Sequence, residues 1–152
     1  MLADGCIQGI EEYHGATVTY RNCGELFAVP AEGGASTSLG NAARIADERF
    51  DELLALDQLG ELRRFRGENN RAVAISTDVR DARFFGGTSV LASGGSAEPP
   101  WTLTLFDASD ESRSLGEVTG PFGVDPKTQS FFVTTRWLDG ESSLVIGSLV
   151  SP

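Results

Sequence analysis

The longest periodic run of apolar positions in the chain lies between residues 42 and 65, AARIADERFDELLALDQLGELRRF. Apolar residues recur there every three or four positions, as on one face of an α-helix. They are Ala42, Ala46, Phe50, Leu53, Leu54, Leu56, Leu59, Leu62 and Phe65. Acidic residues lie in the first half and Arg63, Arg64 and Arg66 at the end, an order that suits the helix dipole. The pattern predicts one main amphipathic helix over about 42–65.

A second, shorter helix is predicted near the N-terminus, over residues 3–13. Asp4 is a suitable N-cap residue, and Ile7, Ile10 and Tyr13 follow it at a spacing of three.

Period-two alternation and turn residues predict β-hairpins in the rest of the chain. ATVTYR (16–21) and ELFAV (25–29) flank a short connection, with Val18 and Tyr20 on the face expected to point into the core. Further strands are predicted at 71–77, at 82–93, at 101–106 and after a loop at 107–112. Together with the helices, they predict an α+β, β-rich fold in which the main helix packs on antiparallel sheet.

The clearest hairpin signal covers residues 130–150, where two apolar runs flank Asp139-Gly140. Asp-Gly favours a two-residue type I′ turn. A turn centred there pairs Thr135 with Leu144 and Val133 with Ile146. The register predicts a core face that includes Phe131, Val133, Trp137, Leu144 and Ile146.

The length of 152 residues favours a single domain over 1–152. GGSAEPP (94–100) is rich in Gly, Ser and Pro and reads as a linker. An alternative division therefore has an α+β part at 1–93 and an all-β part at 101–152. The sequence has no evident internal repeat.

The net charge of −10 and the pI of about 4.4 narrow the classes of partner. Nucleic acid and anionic membranes both require a basic surface, so neither is expected. No segment has the pattern of a signal peptide or of a transmembrane span, which predicts a cytoplasmic or virion location. Two cysteines 17 positions apart favour a reduced compartment, although a Cys6–Cys23 bridge remains an alternative.

Cys23 and the chain's only histidine, His14, lie close in sequence and could act as nucleophile and base. The strand between them spans about 20 Å, which separates them along the hairpin. One histidine and two cysteines also cannot form a closed zinc site without carboxylates. We therefore predict no catalytic, cofactor-binding or metal-binding residues, no cofactor, and no enzyme activity.

Surface interactions are the remaining source of function. The residues predicted to contact a partner belong to a basic cluster, to a Phe-Phe pair or to a hairpin near its turn. They are Cys23, Arg63, Arg64, Arg66, Phe84, Phe85, Phe132 and Leu138. In each Phe-Phe pair one ring must face away from the other, which predicts an exposed aromatic patch for assembly. Self-association or a stable protein partner is expected.

Two stretches resemble known families. The helix–hairpin–helix–strands order of residues 3–92 resembles the roadblock/profilin-type sandwich, which implies a regulatory scaffold. VTYR (18–21), after a short N-terminal helix, resembles the start of small phage head–tail joining proteins. The leading prediction is a non-enzymatic structural subunit of a larger assembly such as a virus particle. The alternatives are a roadblock-like scaffold and a small-ligand-binding module.

Overall fold

The computed structural model of the chain describes residues 7–14, 16–49, 52–66, 71–125, 127–136 and 142–148. Within these residues the regular structure is β-strand, and there is no helix. The strands in chain order are β1 Ile7–His14, β2 Thr17–Asn22, β3 Glu25–Pro30, β4 Thr37–Ser38, β5 Ala42–Arg49, β6 Glu52–Asp57, β7 Leu62–Arg66, β8 Arg71–Ser76, β9 Val79–Phe85, β10 Ser89–Gly94, β11 Trp101–Phe106, β12 Ser112–Val118, β13 Phe122–Asp125, β14 Ser130–Arg136 and β15 Ser142–Ser148. The predicted α+β class is therefore wrong, and the protein is all-β.

The strands form four antiparallel sheets, each made of consecutive strands. The first sheet contains β1–β4, the second β5–β8, the third β9–β12 and the fourth β13–β15. By itself, each of the first three is the four-stranded meander that also forms one blade of a β-propeller. Among the described residues, the fourth sheet has three strands.

The chain divides into two compact units, Met1–Ile75 and Ser76–Pro152. The first contains the first sheet and nearly all of the second, and the second contains the third and fourth sheets. The predicted linker at 94–100 joins β10 to β11, which are neighbours within the third sheet. The predictions of a single domain and of a division at 94–100 stay predictions.

The core of the first unit lies between its two sheets. Leu26 and Ala28 of β3 pack in one cluster with Ile45, Ala55 and Phe65 of the second sheet. Alternation along β2 and β3 places Val18 and Tyr20 on the opposite face, where they are half-buried and Tyr20 stacks on Phe27. The expectation that Val18 and Tyr20 face this core is therefore wrong.

The predicted main helix at 42–65 is instead β5, β6 and β7 of the second sheet. Leu53, Leu54, Ala55 and Leu56 form a continuous apolar run in β6, the neighbour of both β5 and β7. Leu54 and Ala55 point to opposite faces, yet both are buried. A strand buried on both faces has no polar alternation, so its pattern can be read as a helix.

Bulges in β5 add to the ambiguity, because its register with β6 shifts at two places. A shift breaks the period of two and spaces apolar residues at three or four positions. The predicted N-terminal helix fails as well, because residues 7–14 form β1; residues 3–6 lie outside the described part.

The turn after β6 has the same design as the turn after β11. Asp57 Oδ1 accepts the backbone N–H groups of Leu59 and Glu61 at 2.8 Å each. Asp107 Oδ1 accepts those of Ser109 and Glu111, at 2.7 and 3.1 Å. A carboxylate that accepts two backbone N–H groups stabilises a tight turn. In both turns it therefore favours a hairpin over a continuing helix.

Candidate interaction surface

Among the described residues of the second unit, the large exposed apolar side chains lie on the fourth sheet. Its register pairs Val133 with Val145, Phe132 with Ile146 and Thr134 with Leu144. On the other side of β14, Phe122 pairs with Val133 and Gly123 with Phe132. Residues that pair across antiparallel strands point to the same face, so these pairs define two faces of different character.

The register of β14 and β15 differs by one residue from the prediction. The predicted register pairs Val133 with Ile146, whereas the structure pairs Val133 with Val145. A one-residue slip moves the residues of one strand to the other face. Leu144 and Ile146 are consequently on the face opposite Val133, and their prediction as core residues is wrong. Trp137 and the Asp139-Gly140 turn lie outside the described residues.

The inner face of the fourth sheet packs on the third sheet. Phe122 and Val133 are buried in a cluster with Phe85 and Leu91. Phe131 is half-buried and meets Phe85 edge to face, with ring centroids 5.6 Å apart. This contact fixes which ring of the Phe131-Phe132 pair points inward.

The other ring and its neighbours form what we call the outer apolar face, Phe132, Leu144 and Ile146. Their exposed fractions are 46%, 66% and 71%. Phe132 lies across the sheet over Gly123, where a Cβ would come within 2.1 Å of Cζ of the ring. The glycine thus leaves the space in which the exposed phenyl ring rests.

The turn from β13 to β14 is held by Asp125. Its Oδ1 accepts the backbone N–H of Lys127 at 2.9 Å, and its Oδ2 accepts the hydroxyl of Thr128 at 2.8 Å. These hydrogen bonds, first that of Lys127, lower the pKa of Asp125 below its ordinary value. The carboxylate is the ionised acceptor that this turn requires.

The predicted basic cluster lies on β7 of the second sheet. Arg64 is fully buried, with Nη2 3.0 Å from Oε2 of Glu52. Arg66 is partly exposed and reaches the other oxygen of the same carboxylate at 3.1 Å. Arg63 is partly exposed and pairs with Glu61. Arg64 therefore offers no exposed surface to a partner, and an interaction role for the other two stays a prediction.

The other predicted residues are dispersed. Phe84 and Phe85 are both buried in β9, so in this pair neither ring is exposed. Cys23 is exposed in the β2–β3 turn, and Leu138 lies outside the described residues. Of the predicted residues, Phe132 alone belongs to the outer apolar face.

Cys23 cannot serve as a free thiolate, because it is disulfide-bonded. The bonded alternative is therefore correct for Cys23; the chain's other cysteine, Cys6, lies outside the described residues. His14 pairs with Thr17 at one end of the β1–β2 hairpin, whereas Cys23 follows Asn22 at the other end. The predicted separation of His14 and Cys23 along the hairpin matches this backbone register.

A small cavity lies against the third sheet and is lined by Val79, Ala92, Thr102, Thr104 and Phe106 among others. Its volume is about 90 Å³. Sites for small organic ligands usually enclose about 300–1,000 Å³, so this cavity is too small for one. It does not favour the predicted small-ligand-binding module.

Two kinds of feature are absent from the described residues. No group of three or more His, Cys, Asp and Glu side chains is arranged to hold a metal ion. No helix there is long and apolar enough to cross a bilayer.

No protein-family model and no curated protein matches the sequence. The structure is similar to the crystal structure of the N-terminal domain of Nup159, with 11% identity and a TM-score of 0.49. The match covers 96% of this chain and 46% of that chain. A chain in the S. cerevisiae structure of Dbp5 bound to Nup159, Gle1, IP6 and ADP matches with the same identity and TM-score, over 45% of its length. A TM-score below 0.5 supports no conclusion about relationship or function.

Leu144 and Ile146 are the residues of this surface whose face was wrongly predicted from the sequence. Both lie in a predicted strand, and their place in a hairpin was correctly predicted. The face of the sheet on which they lie depends on the register of β14 and β15. The signal that could have placed them is the pair of Phe131 and Gly147 across β14 and β15, because an aromatic residue across from glycine marks a register.

Proposed function

We propose that this chain is a non-enzymatic protein-interaction module, a structural subunit of a larger protein assembly. The observation that carries the proposal is the outer apolar face, three large apolar side chains exposed together on one side of the fourth sheet. Exposed apolar groups that lie together, rather than singly, mark interaction sites on soluble proteins.

The energetics support a contact surface of this kind. Fully burying one side chain of this size contributes about 1.5–3 kcal/mol. Phe132 already rests over Gly123, so one side of its ring is covered before a partner binds. An aromatic residue held in this way is a typical interface hot spot.

The net charge of the chain indicates which kind of partner surface it would favour. A net charge of −10 disfavours close approach of acidic surfaces and favours a neutral or basic surface around the apolar contact. Membership of a virus particle stays a prediction. The roadblock/profilin-type alternative loses its basis, because it required a helix at 42–65 where β5, β6 and β7 lie.

The test is site-specific photo-crosslinking of the full chain in its own cellular context. A photoreactive phenylalanine derivative at position 132 should give a defined crosslinked protein product, identified by mass spectrometry. The matched control places the same group at Leu59, which is exposed in a turn of the first unit. If position 132 gives no protein product beyond that of position 59, the proposal is wrong.

A further inference from the structure

We propose that the disulfide of Cys23 is a redox-sensitive clasp that fastens strand β1 to the first sheet, with Cys6 as its other half. The clasp is closed where thiols are oxidised and opens where a dithiol reductant is present. The inference goes beyond the proposed function, because it concerns the first sheet and makes no use of the outer apolar face. It is carried by the position of Cys23, by the anchoring of its turn and by the pairing of β1.

The partner of Cys23 follows from the composition of the chain and from the register of β1. Cys23 is disulfide-bonded, and the chain contains one other cysteine, Cys6. Ile7, where the described part of the chain begins, pairs with Asn22. In an antiparallel register the next two opposed positions are therefore 6 and 23. Opposed residues have Cα atoms about 4.5–5.5 Å apart, which is within the range that a disulfide spans.

The backbone of the β2–β3 turn shows that the sulfur is the reason for a cysteine at position 23. Asn22 pairs with Glu25, so Cys23 and Gly24 are the two central residues of the turn. Their φ angles are +51° and +86°. Positive φ at both positions is typical of a type I′ turn, which favours Asn, Asp or Gly. The turn does not favour cysteine, whereas the disulfide requires it.

The same turn is open to a reductant, because Cys23 and Gly24 are both exposed. The thiolate of a dithiol can attack the disulfide while the chain stays folded. This attack forms a mixed disulfide and releases one protein thiol. The second thiol of the reductant then displaces the other protein thiol and closes the reductant's own disulfide. Two electrons and two protons pass from the dithiol to the two cysteines.

The turn that holds Cys23 is anchored to the second sheet by Arg21. Nη1 of Arg21 donates a hydrogen bond to the backbone oxygen of Gly24 at 3.2 Å. Nη2 of the same side chain donates to the backbone oxygens of Ala42 and Ala43, at 3.2 and 3.0 Å. Cys23 is thus a fixed point on the first unit, and a covalent bond to it restrains the beginning of β1.

Strand β1 is attached to its neighbour less regularly than β2 is attached to β3. The register of β1 with β2 shifts between Ile7 and Gly9 and again between Ile10 and Glu12. The register of β2 with β3 has no shift. A shift disrupts the ladder of backbone hydrogen bonds locally. A covalent bond at the beginning of β1 therefore adds most where the hydrogen-bonded ladder is least regular.

The pairing of the cysteines is tested by mass spectrometry of the chain without reductant. The expected product is a monomer that an alkylating reagent does not label and that gains two labels after reduction. Peptide mapping should recover the segments containing Cys6 and Cys23 joined by one bond. A disulfide-linked dimer, or two thiols that react before any reductant is added, would overturn the inference.

The clasp is tested by hydrogen exchange of the folded chain with and without a dithiol reductant. Reduction should speed exchange at the amides of 7–14 by about tenfold or more, whereas those of 25–30 should stay within about twofold. Urea well below the unfolding midpoint should leave the rate of reduction unchanged, because the bond is exposed. If exchange at 7–14 does not change on reduction, or if reduction requires global unfolding, the inference is wrong.

Two matched variants separate the loss of the bond from a disturbed turn. C23N removes the sulfur but suits a turn residue with positive φ, and C6S leaves the turn untouched. Without reductant both should exchange at 7–14 as the reduced wild type does, and neither should respond to the dithiol. Their melting temperatures should fall by about 5–10 °C, as should that of the reduced wild type.

Exchange at the amides of 79–94 in the third sheet confirms that each variant is folded. A C6S chain that exchanges like the oxidised wild type would show that Cys6 is not the partner, and the proposed clasp would be wrong.

Discussion

The third and fourth sheets share one packed interface and differ in their other faces. Where β9 and β10 pair, the third sheet is buried on both sides: Phe85 and Leu91 lie in the interface, and Phe84 and Val90 are buried on the opposite face. The fourth sheet buries Val133 in the same interface, but its opposite face exposes Phe132, Leu144 and Ile146.

The difference between the outer faces of the two sheets shows that an apolar composition does not by itself mean that a strand is buried in the core. Strand β15 carries Leu, Val and Ile in succession, much as β10 carries Val, Leu and Ala. In β10 all of these side chains are buried, whereas in β15 they remain exposed. The chain retains large apolar groups on β15 that contribute little to its own core, which is the reason for assigning them to a partner.

The largest expected effect on the free energy of unfolding comes from replacing one leucine by alanine in the third sheet and one in the fourth. Leu91→Ala should lower the free energy of unfolding by about 3 kcal/mol, since it leaves a cavity in a fully packed core. Leu144→Ala removes the same atoms from an exposed site and should change it by less than about 0.5 kcal/mol. Urea unfolding at protein concentrations low enough to keep the chain monomeric measures both.

A large loss for Leu144→Ala in the monomer would contradict the comparison. Leu144 would then be part of the folded core, and the assignment of the outer apolar face to a partner would lose its support.

A smaller difference in stability is expected between alanine substitutions at two glycines, one in each of these sheets. At Gly94 a Cβ would come within 2.1 Å of the backbone oxygen of Asp78, at the bulge between β9 and β10. Backbone cannot easily give way, so Gly94→Ala should cost about 2–3 kcal/mol. At Gly123 the obstacle is the ring of Phe132, which can rotate into solvent, so Gly123→Ala should cost about 1 kcal/mol or less.

Thermal unfolding of both glycine variants tests this difference, and the double variant Gly123→Ala/Phe132→Ala is the control. If the ring is the obstacle, the Gly123 substitution should cost less when Phe132 is absent. Equal costs at Gly94 and Gly123 would mean that the phenyl ring of Phe132 is as firmly fixed as backbone.

The same contrast explains how far the sequence could predict the fold. The strand predicted at 101–106 is β11, and the short connection predicted between 16–21 and 25–29 is the turn of a hairpin, so both predictions are confirmed. Strands of this kind either alternate apolar and polar residues or flank a strong turn. Both signals come from residues that are close in the sequence. Strand β6 is buried on both faces and shows neither, so its periodicity was ambiguous.

The candidate surface was predictable only in part, for a different physical reason. The aromatic pair at 131–132 indicated that one ring must be exposed, and Phe132 is that ring. Leu144 and Ile146 depended on the register of β14 and β15, and one residue in the connection decides which face they occupy. The inward face of β14 is marked by the packing of Phe131 on Phe85, a contact between distant parts of the chain that no local pattern contains.

The smallest expected effect concerns acid stability and the turn of the fourth sheet. Hydrogen bonds from Lys127 and Thr128 lower the folded-state pKa of Asp125 below its unfolded value. A lowered pKa stabilises the folded state above the unfolded pKa, and the contribution is lost as the pH falls through the folded pKa. Asp125→Asn should therefore flatten the fall in melting temperature at acidic pH, below about 4. The control is Asp107→Asn in the third sheet, where the carboxylate also holds a turn but on a different hairpin. A pH profile of Asp125→Asn that follows the wild type throughout the acidic range would show that this turn does not link protonation to folding.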